Sequence, residues 1–241
     1  MKNLNNPSEK IIIALDGMDQ NDVLCLLEKI PDIRWVKVGL ELFVSEGPDF
    51  LSILRDKGKK IFLDLKFHDI PTTVAKACFA ASQTGAEYIS LHTCAGIKAL
   101  KMAKEASNEG AAKVNLMPPR LLGITILTSW TQESFFDDLL IDQSIDHRVK
   151  HLAQIASNAE LGGCVCSPRE VKFLREIYPE TFELVTPGIR SLGSDLNDQS
   201  RVADASEALK MGATKLVIGR AITQSSNPAY MFKSFCDKLF I

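Results

Sequence analysis

Eight short apolar runs, each followed by a stretch that suits a helix, limit the fold of this chain more than any other feature. The runs fall at 11–16, 35–40, 61–65, 88–92, 121–127, 163–167, 183–187 and 215–220. Helices are expected between them at 19–29, 48–58, 71–84, 96–109, 168–178 and 201–211, with one or two over 131–142 and 144–160 and a last one at 228–239. Strands that are apolar on both faces and separated by helices build a parallel sheet covered on both sides. Eight such units in 241 residues imply a closed (β/α)8 TIM barrel, expected as one domain over 1–241. With 46% hydrophobic residues the chain can bury one large core or two small ones, and no interior stretch has a linker's composition. The runner-up is a doubly wound open sheet. That fold would carry a Gly-rich turn after its first strand, and Asp16-Gly17-Met18-Asp19 is a poor version of one.

Charge and cysteine usage narrow the class further. A net charge of −2 provides no global field to recruit nucleic acid or an anionic membrane, although local positive charge can still hold a phosphate. The six cysteines, at 25, 78, 94, 164, 166 and 236, show no repeated metal-type spacing. The first seven residues lack an apolar signal region, and no run of 18 apolar residues occurs. A reduced, cytoplasmic protein with no membrane partner and no metal is the expectation.

The densest chemistry lies at 60–73. Ile61, Phe62, Leu63 and Leu65 read as a buried strand, and its far end places Asp64, Lys66 and Asp69 within six residues. A strand's period of two puts Asp64 and Lys66 on one face, and ionised groups on a core face are costly unless paired. Pro71 then stops the strand and can open a helix, where its missing N–H is not needed. The pattern predicts a strand tip that presents a carboxylate–ammonium array to a cavity, against the plainer reading of mixed charges on an exposed strand.

In a barrel the C-terminal ends of all strands meet at one mouth. Here those ends supply Asp16, Lys37, Asp64, Lys66, His92, Thr128, Pro187 and Arg220. Gly219-Arg220 follows the last strand, where glycine lets a ligand approach the backbone and arginine forks onto phosphate oxygens. The long polar loop 188–199 reads as a lid carrying Arg190 and Gln199 toward a phosphate or base, or else as a passive solvated loop. His147 and His151 have the spacing of a zinc helix, but Arg148 stands where the catalytic Glu would be, so a solvated face is expected. His68 and His92 read as orienting or structural groups.

These residues carry a resemblance. Asp64-Leu-Lys66-Phe-His-Asp69-Ile-Pro-Thr-Thr73 closely resembles the signature of the orotidine 5'-phosphate decarboxylase family. Spaced matches extend it along nearly the whole chain, in Ala14-Leu15-Asp16, Val36-Lys37-Val38-Gly39, Leu127-Thr128-Ser129, Val185-Thr186-Pro187-Gly188-Ile189-Arg190, Asp198-Gln199 and Ile218-Gly219-Arg220. The match weakens after Gln199. The resemblance implies a homodimeric (β/α)8 barrel that converts orotidine 5'-monophosphate to uridine 5'-monophosphate without metal or organic cofactor. It implies Lys66 as proton donor to C6 of the pyrimidine, with Asp64 sharing its array and Lys37 extending the charge network. By the same resemblance Asp69 reaches the partner subunit's site with Thr73 beside it, and Asp16 and Lys37 bind ribose hydroxyls. Thr128, helped by Ser129, contacts the base and Pro187 packs near it, while Arg190, Gln199, Gly219 and Arg220 hold the phosphate.

Two other readings stay open at this point. One is a related barrel that uses the same Asp-x-Lys-x-x-Asp strand on a sugar phosphate with Mg2+, such as a keto-gulonate phosphate decarboxylase or a hexulose phosphate synthase. The other is an inactive barrel that binds a nucleotide or a protein.

Overall fold

A computed structural model describes residues 6–189 and 204–239. Its strands are Ile11–Ala14 (β1), Trp35–Gly39 (β2), Lys60–Phe67 (β3), Tyr88–His92 (β4), Arg120–Ile124 (β5), Gly163–Val165 (β6), Glu183–Thr186 (β7) and Lys215–Ile218 (β8). They run parallel in sequence order and close into a barrel, with β1 paired to β8 through Ile11↔Leu216, Ile12↔Val217 and Ile13↔Ile218. This is the (β/α)8 barrel the apolar alternation predicts.

Several helices begin where a side chain satisfies a free N–H group. Gln20–Lys29 (α1) is capped by Asp19, whose side chain accepts from the Asp22 N–H. Two short helices follow β2, Leu40–Glu46 (α2) and Asp49–Asp56 (α3), and the second turns out through Gly58 at φ 71°. Pro71 opens Pro71–Ser82 (α4), as expected, and Ile97–Lys113 (α5) follows β4. Thr131 and Ser144 separately cap Gln132–Leu139 (α6) and Ile145–Asn158 (α7), so this stretch holds two helices. Pro168–Ile177 (α8), Ala205–Lys210 (α9), Arg220–Thr223 (α10) and Pro228–Leu239 (α11) complete the described helices.

Three expectations are corrected. The second strand stops at Gly39, and Leu40 starts α2, a helix with no counterpart in the sequence reading. The run Leu-Glu-Leu-Phe-Val is too short for periodicity to separate helix from strand. The fifth strand ends at Ile124 instead of running on to Leu127. The segment 109–120, expected to be loose, is helical as far as Lys113. Gly110 signalled a break there but serves packing: a Cβ at this position would collide with the Phe79 carbonyl and the Ser82 hydroxyl on α4.

Alternation along the strands sorts two apolar layers. Ile61 and Leu63 of β3, with Val36 and Val38 of β2, face the helices in the larger core. The barrel interior holds Ile12, Ala14, Trp35, Phe62, Tyr88, Leu122, Val185 and Val217. Inward positions therefore continue upward from Trp35 to Lys37 on β2 and from Phe62 to Asp64 on β3. That continuation delivers charge to the mouth.

Candidate active site

The C-terminal ends of the strands surround a cavity of about 570 Å³. Ala14, Phe62, Ile124, Val165 and Val217 make its floor and walls apolar, while Asp16, Lys37, Asp64, Lys66 and Arg220 bring charge into it. The register sets Gly39 of β2 opposite Asp64 of β3. Lys37, buried two residues earlier on the same face, donates to Asp16 Oδ1 at 2.8 Å and lies 3.6 Å from Asp64 Oδ2. The missing side chain at Gly39 makes this possible, because a Cβ there would strike the Asp16 carboxylate and lie 2.9 Å from Lys37 Nζ.

Lys66 Nζ donates to Asp64 Oδ2 at 2.7 Å. The two side chains do meet, but not through the plain strand alternation that the sequence suggests. Lys66 has φ 51°, in the left-handed region that non-glycine residues rarely occupy. The β3–β4 register slips there, from Leu63↔Ile89 to Phe67↔Leu91, so four residue steps on β3 oppose two on β4. Such backbone costs on the order of 1–3 kcal/mol and persists where the surroundings hold it, commonly at functional sites.

Asp64 is a buried carboxylate between two ammonium groups. Burial alone pushes its pKa up, but the charges of Lys37 and Lys66 and the hydrogen bonds from Lys66 and Ser90 outweigh it and hold the group below the ordinary range. It is ionised at neutral pH, and the alternating series Asp16, Lys37, Asp64, Lys66 ends on an ammonium that faces the cavity.

Most of the sequence-predicted site residues converge. Asp16, Lys37, Asp64, Lys66, Thr128, Ser129, Pro187, Gly219 and Arg220 all line the cavity. Asp69 and Thr73 do not: both are exposed, and the Asp69 carboxylate accepts from the Ile70 N–H. In the single chain Asp69 stands apart from the Asp64–Lys66 pair, because the strand has ended and the backbone is turning into α4. Arg190 and Gln199 lie outside the described residues.

His92, though at a strand tip, does not line the cavity either. Its ring packs 5.4 Å from that of His68, whose Nε2 is 3.8 Å from Cys94 Sγ. Burial first, then the charges of His68 and Lys66, pushes His92 down to about 4, so it is neutral at pH 7. His147 and His151 are exposed on α7, as expected.

Sequence reasoning missed the parts played by Ser90, Gly39, Cys166 and Gln224. Cys166 and Gln224 line the cavity, and Ser90 bonds to both Asp64 and Lys66 from the neighbouring strand. The signal that Ser90 offered was a small polar residue between Ile89 and Leu91 in the middle of a strand.

Comparison with known proteins finds relatives along nearly the whole chain. The family model for the orotidine 5'-phosphate decarboxylase / HUMPS family matches residues 9–235. Orotidine 5'-phosphate decarboxylases from two strains of Prochlorococcus marinus are 83% and 58% identical to it, over 100% and 96% of both chains. The crystal structure of orotidine 5'-phosphate decarboxylase from Lactobacillus acidophilus matches with a TM-score of 0.85 at 32% identity, over 97% of this chain and 100% of that one. A closed barrel, an acid–lysine series at its mouth and relatives of equal length lead to one assignment: the chain belongs to the orotidine 5'-phosphate decarboxylase / HUMPS family.

Proposed function

We propose that this chain converts orotidine 5'-monophosphate to uridine 5'-monophosphate and CO2, with Lys66 as the group that stabilises and protonates C6. The observation that carries the reading is the Lys66 ammonium, 2.7 Å from a buried carboxylate and open to a cavity with Arg220 on its wall. Breaking the bond from C6 to the carboxyl carbon releases CO2 and leaves the electron pair on C6, where the ring delocalises it poorly. A fixed ammonium beside that carbon supplies the missing stabilisation without reorganising. The pair then takes a proton from Lys66 Nζ, and solvent reprotonates the amine.

Asp64 keeps Lys66 charged and aimed. It also stands near where the substrate carboxylate must sit, and two like charges 4 Å apart cost about 4 kcal/mol at an effective dielectric near 20. Loss of CO2 relieves that repulsion. Asp16 and Lys37 hold the ribose hydroxyls, and Thr128 with Ser129 contacts the base. Pro187 packs near the base, while Gly219 and Arg220 grip the phosphate. Arg190 and Gln199 are assigned to the phosphate from their motifs alone. Binding energy from the remote phosphate is then available to seat the ring against Lys66.

The same reading makes the working unit a homodimer, with Asp69 and Thr73 contributed to the partner's cavity. Support comes from the rim formed by the second, third and fourth βα units. Leu40, Val44, Ile70 and Ile97 on these units are 56%, 80%, 67% and 42% exposed, and Ile70 directly follows Asp69, which its own cavity does not use.

The test is the loss of orotate-ring absorbance when purified protein meets orotidine 5'-monophosphate in excess EDTA. Turnover is expected. None in EDTA, with turnover restored by Mg2+ on a sugar phosphate, would establish the rival chemistry instead. Sedimentation of the active protein should give twice 26.6 kDa, and a monomer of full activity would remove the shared site.

A further inference from the structure

We infer that Ser90 is a positioning residue for the reaction, one hydroxyl that fixes both the carboxylate of Asp64 and the backbone of Lys66. This inference rests on the functional reading above.

Ser90 sits on β4, fully buried, and the three residues concerned span two strands. Its Oγ donates to Asp64 Oδ1 at 2.7 Å and accepts from the Lys66 backbone N–H at 2.9 Å. A hydroxyl has one proton and two lone pairs, so both bonds form at once and their directions are linked. Asp64 is thereby divided between two tasks. Oδ1 is anchored to the neighbouring strand, and Oδ2 faces Lys66 Nζ at 2.7 Å and Lys37 Nζ at 3.6 Å.

The second bond explains how the left-handed backbone at Lys66 persists. Where the register of β3 slips against β4, the ladder between Leu63 and Phe67 is broken and the Lys66 N–H has lost its regular strand partner. Ser90 supplies one from a side chain instead. A buried N–H without a partner is expensive, so the hydroxyl selects this conformation against a straightened strand. The φ of 51° is what aims the Lys66 side chain back at Asp64. Ser90 does not line the cavity, and so acts on the chemistry only through these two neighbours.

The experiment compares Ser90→Ala and Ser90→Cys with wild type. Cysteine keeps nearly the volume but is a weak donor and acceptor, so it carries the test if the alanine variant does not fold. Expected in each folded variant is a fall in kcat of about 10–100-fold, the size of a lost hydrogen bond to a charged group. KM for orotidine 5'-monophosphate and Kd for uridine 5'-monophosphate should stay within about threefold, because ribose and phosphate contacts are untouched. Loss of the bond to Asp64 should also raise that group's pKa, moving the acid limb of the kcat/KM profile to higher pH. Wild-type turnover is measured first, and its absence defeats the functional reading and this inference together. Turnover in the wild type with kcat within twofold in a folded Ser90 variant, a loss confined to KM, or an unmoved acid limb defeats the role of Ser90 alone.

Discussion

The two ends of the barrel interior are built from alternate positions of the same strands, yet they do opposite things with charge. At the mouth, β2 and β3 present Lys37, Asp64 and Lys66 to an open cavity. At the floor of the barrel, the same two strands present Trp35 and Lys60, joined by Tyr88, Arg120, Glu183 and Lys215 from their neighbours. That lower cluster is closed by the turn Pro7–Lys10: Glu9 accepts from Trp35 Nε1 at 2.9 Å and from Lys60 at 2.8 Å, while its carbonyl accepts from Lys215 at 2.7 Å. The Tyr88 hydroxyl donates to Glu183, and Arg120 lies 3.3 Å from the same oxygen. Rings fill what would otherwise be a hole. Trp35 and Tyr88 lie 4.6 Å apart, and Lys215 sits 4.3 Å over the indole.

Charged residues at a strand end are thus no sign of catalysis by themselves. What separates the ends is what the ionic groups surround: at the mouth they line a cavity, whereas at the floor they pair around packed rings and stay partly exposed. At the floor, burial first pushes Lys215 down to about 8 despite the attraction of Glu183 and Glu9. At the mouth, two ammonium groups outweigh the burial of Asp64 and leave it anionic. The floor spends its polarity on closing the barrel, and the mouth keeps it for a ligand.

The largest effect should come from Lys66→Ala, which removes both the stabilising charge and the proton. A fall in turnover of at least ~10⁴-fold is expected while uridine 5'-monophosphate still binds. Stopped or single-turnover absorbance checks it, and wild-type-like rates would erase the distinction between the two ends.

Next is the pH dependence of the floor. The folded pKa of Lys215 lies below the unfolded value, so the unfolded chain holds more protons between about pH 8 and pH 10.5. Stability contributed by this group therefore rises with pH across that window, by on the order of 3 kcal/mol. Urea midpoints should climb there in wild type relative to Lys215→Met; parallel curves would show that Lys215 is not desolvated. Asp64, whose pKa is also lowered, follows the same sign in a more acidic window. Its contribution is present above the unfolded carboxylate value near pH 4 and is lost as pH falls through the folded one.

Arg220→Ala should raise KM about 10–100-fold through a lost charge-assisted phosphate contact, with a smaller change in kcat. An unchanged KM would remove Arg220 from the ligand site. The smallest effect is expected for Glu9→Gln. This group is half-exposed and its ion pair is screened, so about 1 kcal/mol or less is at stake, a fall in Tm of about 2–4 °C with kcat and KM unaltered. Any loss of turnover in that variant would mean that the floor reaches the chemistry.

Much of the site was legible because its members announce themselves locally. Lys66 and Asp64 are two residues apart, Lys37 interrupts an apolar strand, and Gly219-Arg220 follows one. The sequence misjudged how the first two meet, since alternation predicts a flat strand and the chain uses a left-handed residue and a slipped register instead. Where Asp69 points was not legible from its nearness to Lys66, because two residues past the end of β3 the chain is already turning into α4.

Left to itself, the amino-acid order determined the alternation of strand and helix, hence the barrel, and the identity of the acids and lysines at its mouth. Those follow from period-two and period-3.6 patterns that reach only a few residues. The tertiary structure alone decided that Ser90 sits 24 residues downstream yet against Lys66, that Gly39 vacates the space for Asp16 and Lys37, and that the upper charges line a cavity while the lower ones pair around packed rings. Each of these depends on register between strands, and register is set by the closure of the whole barrel, a condition that no local pattern contains.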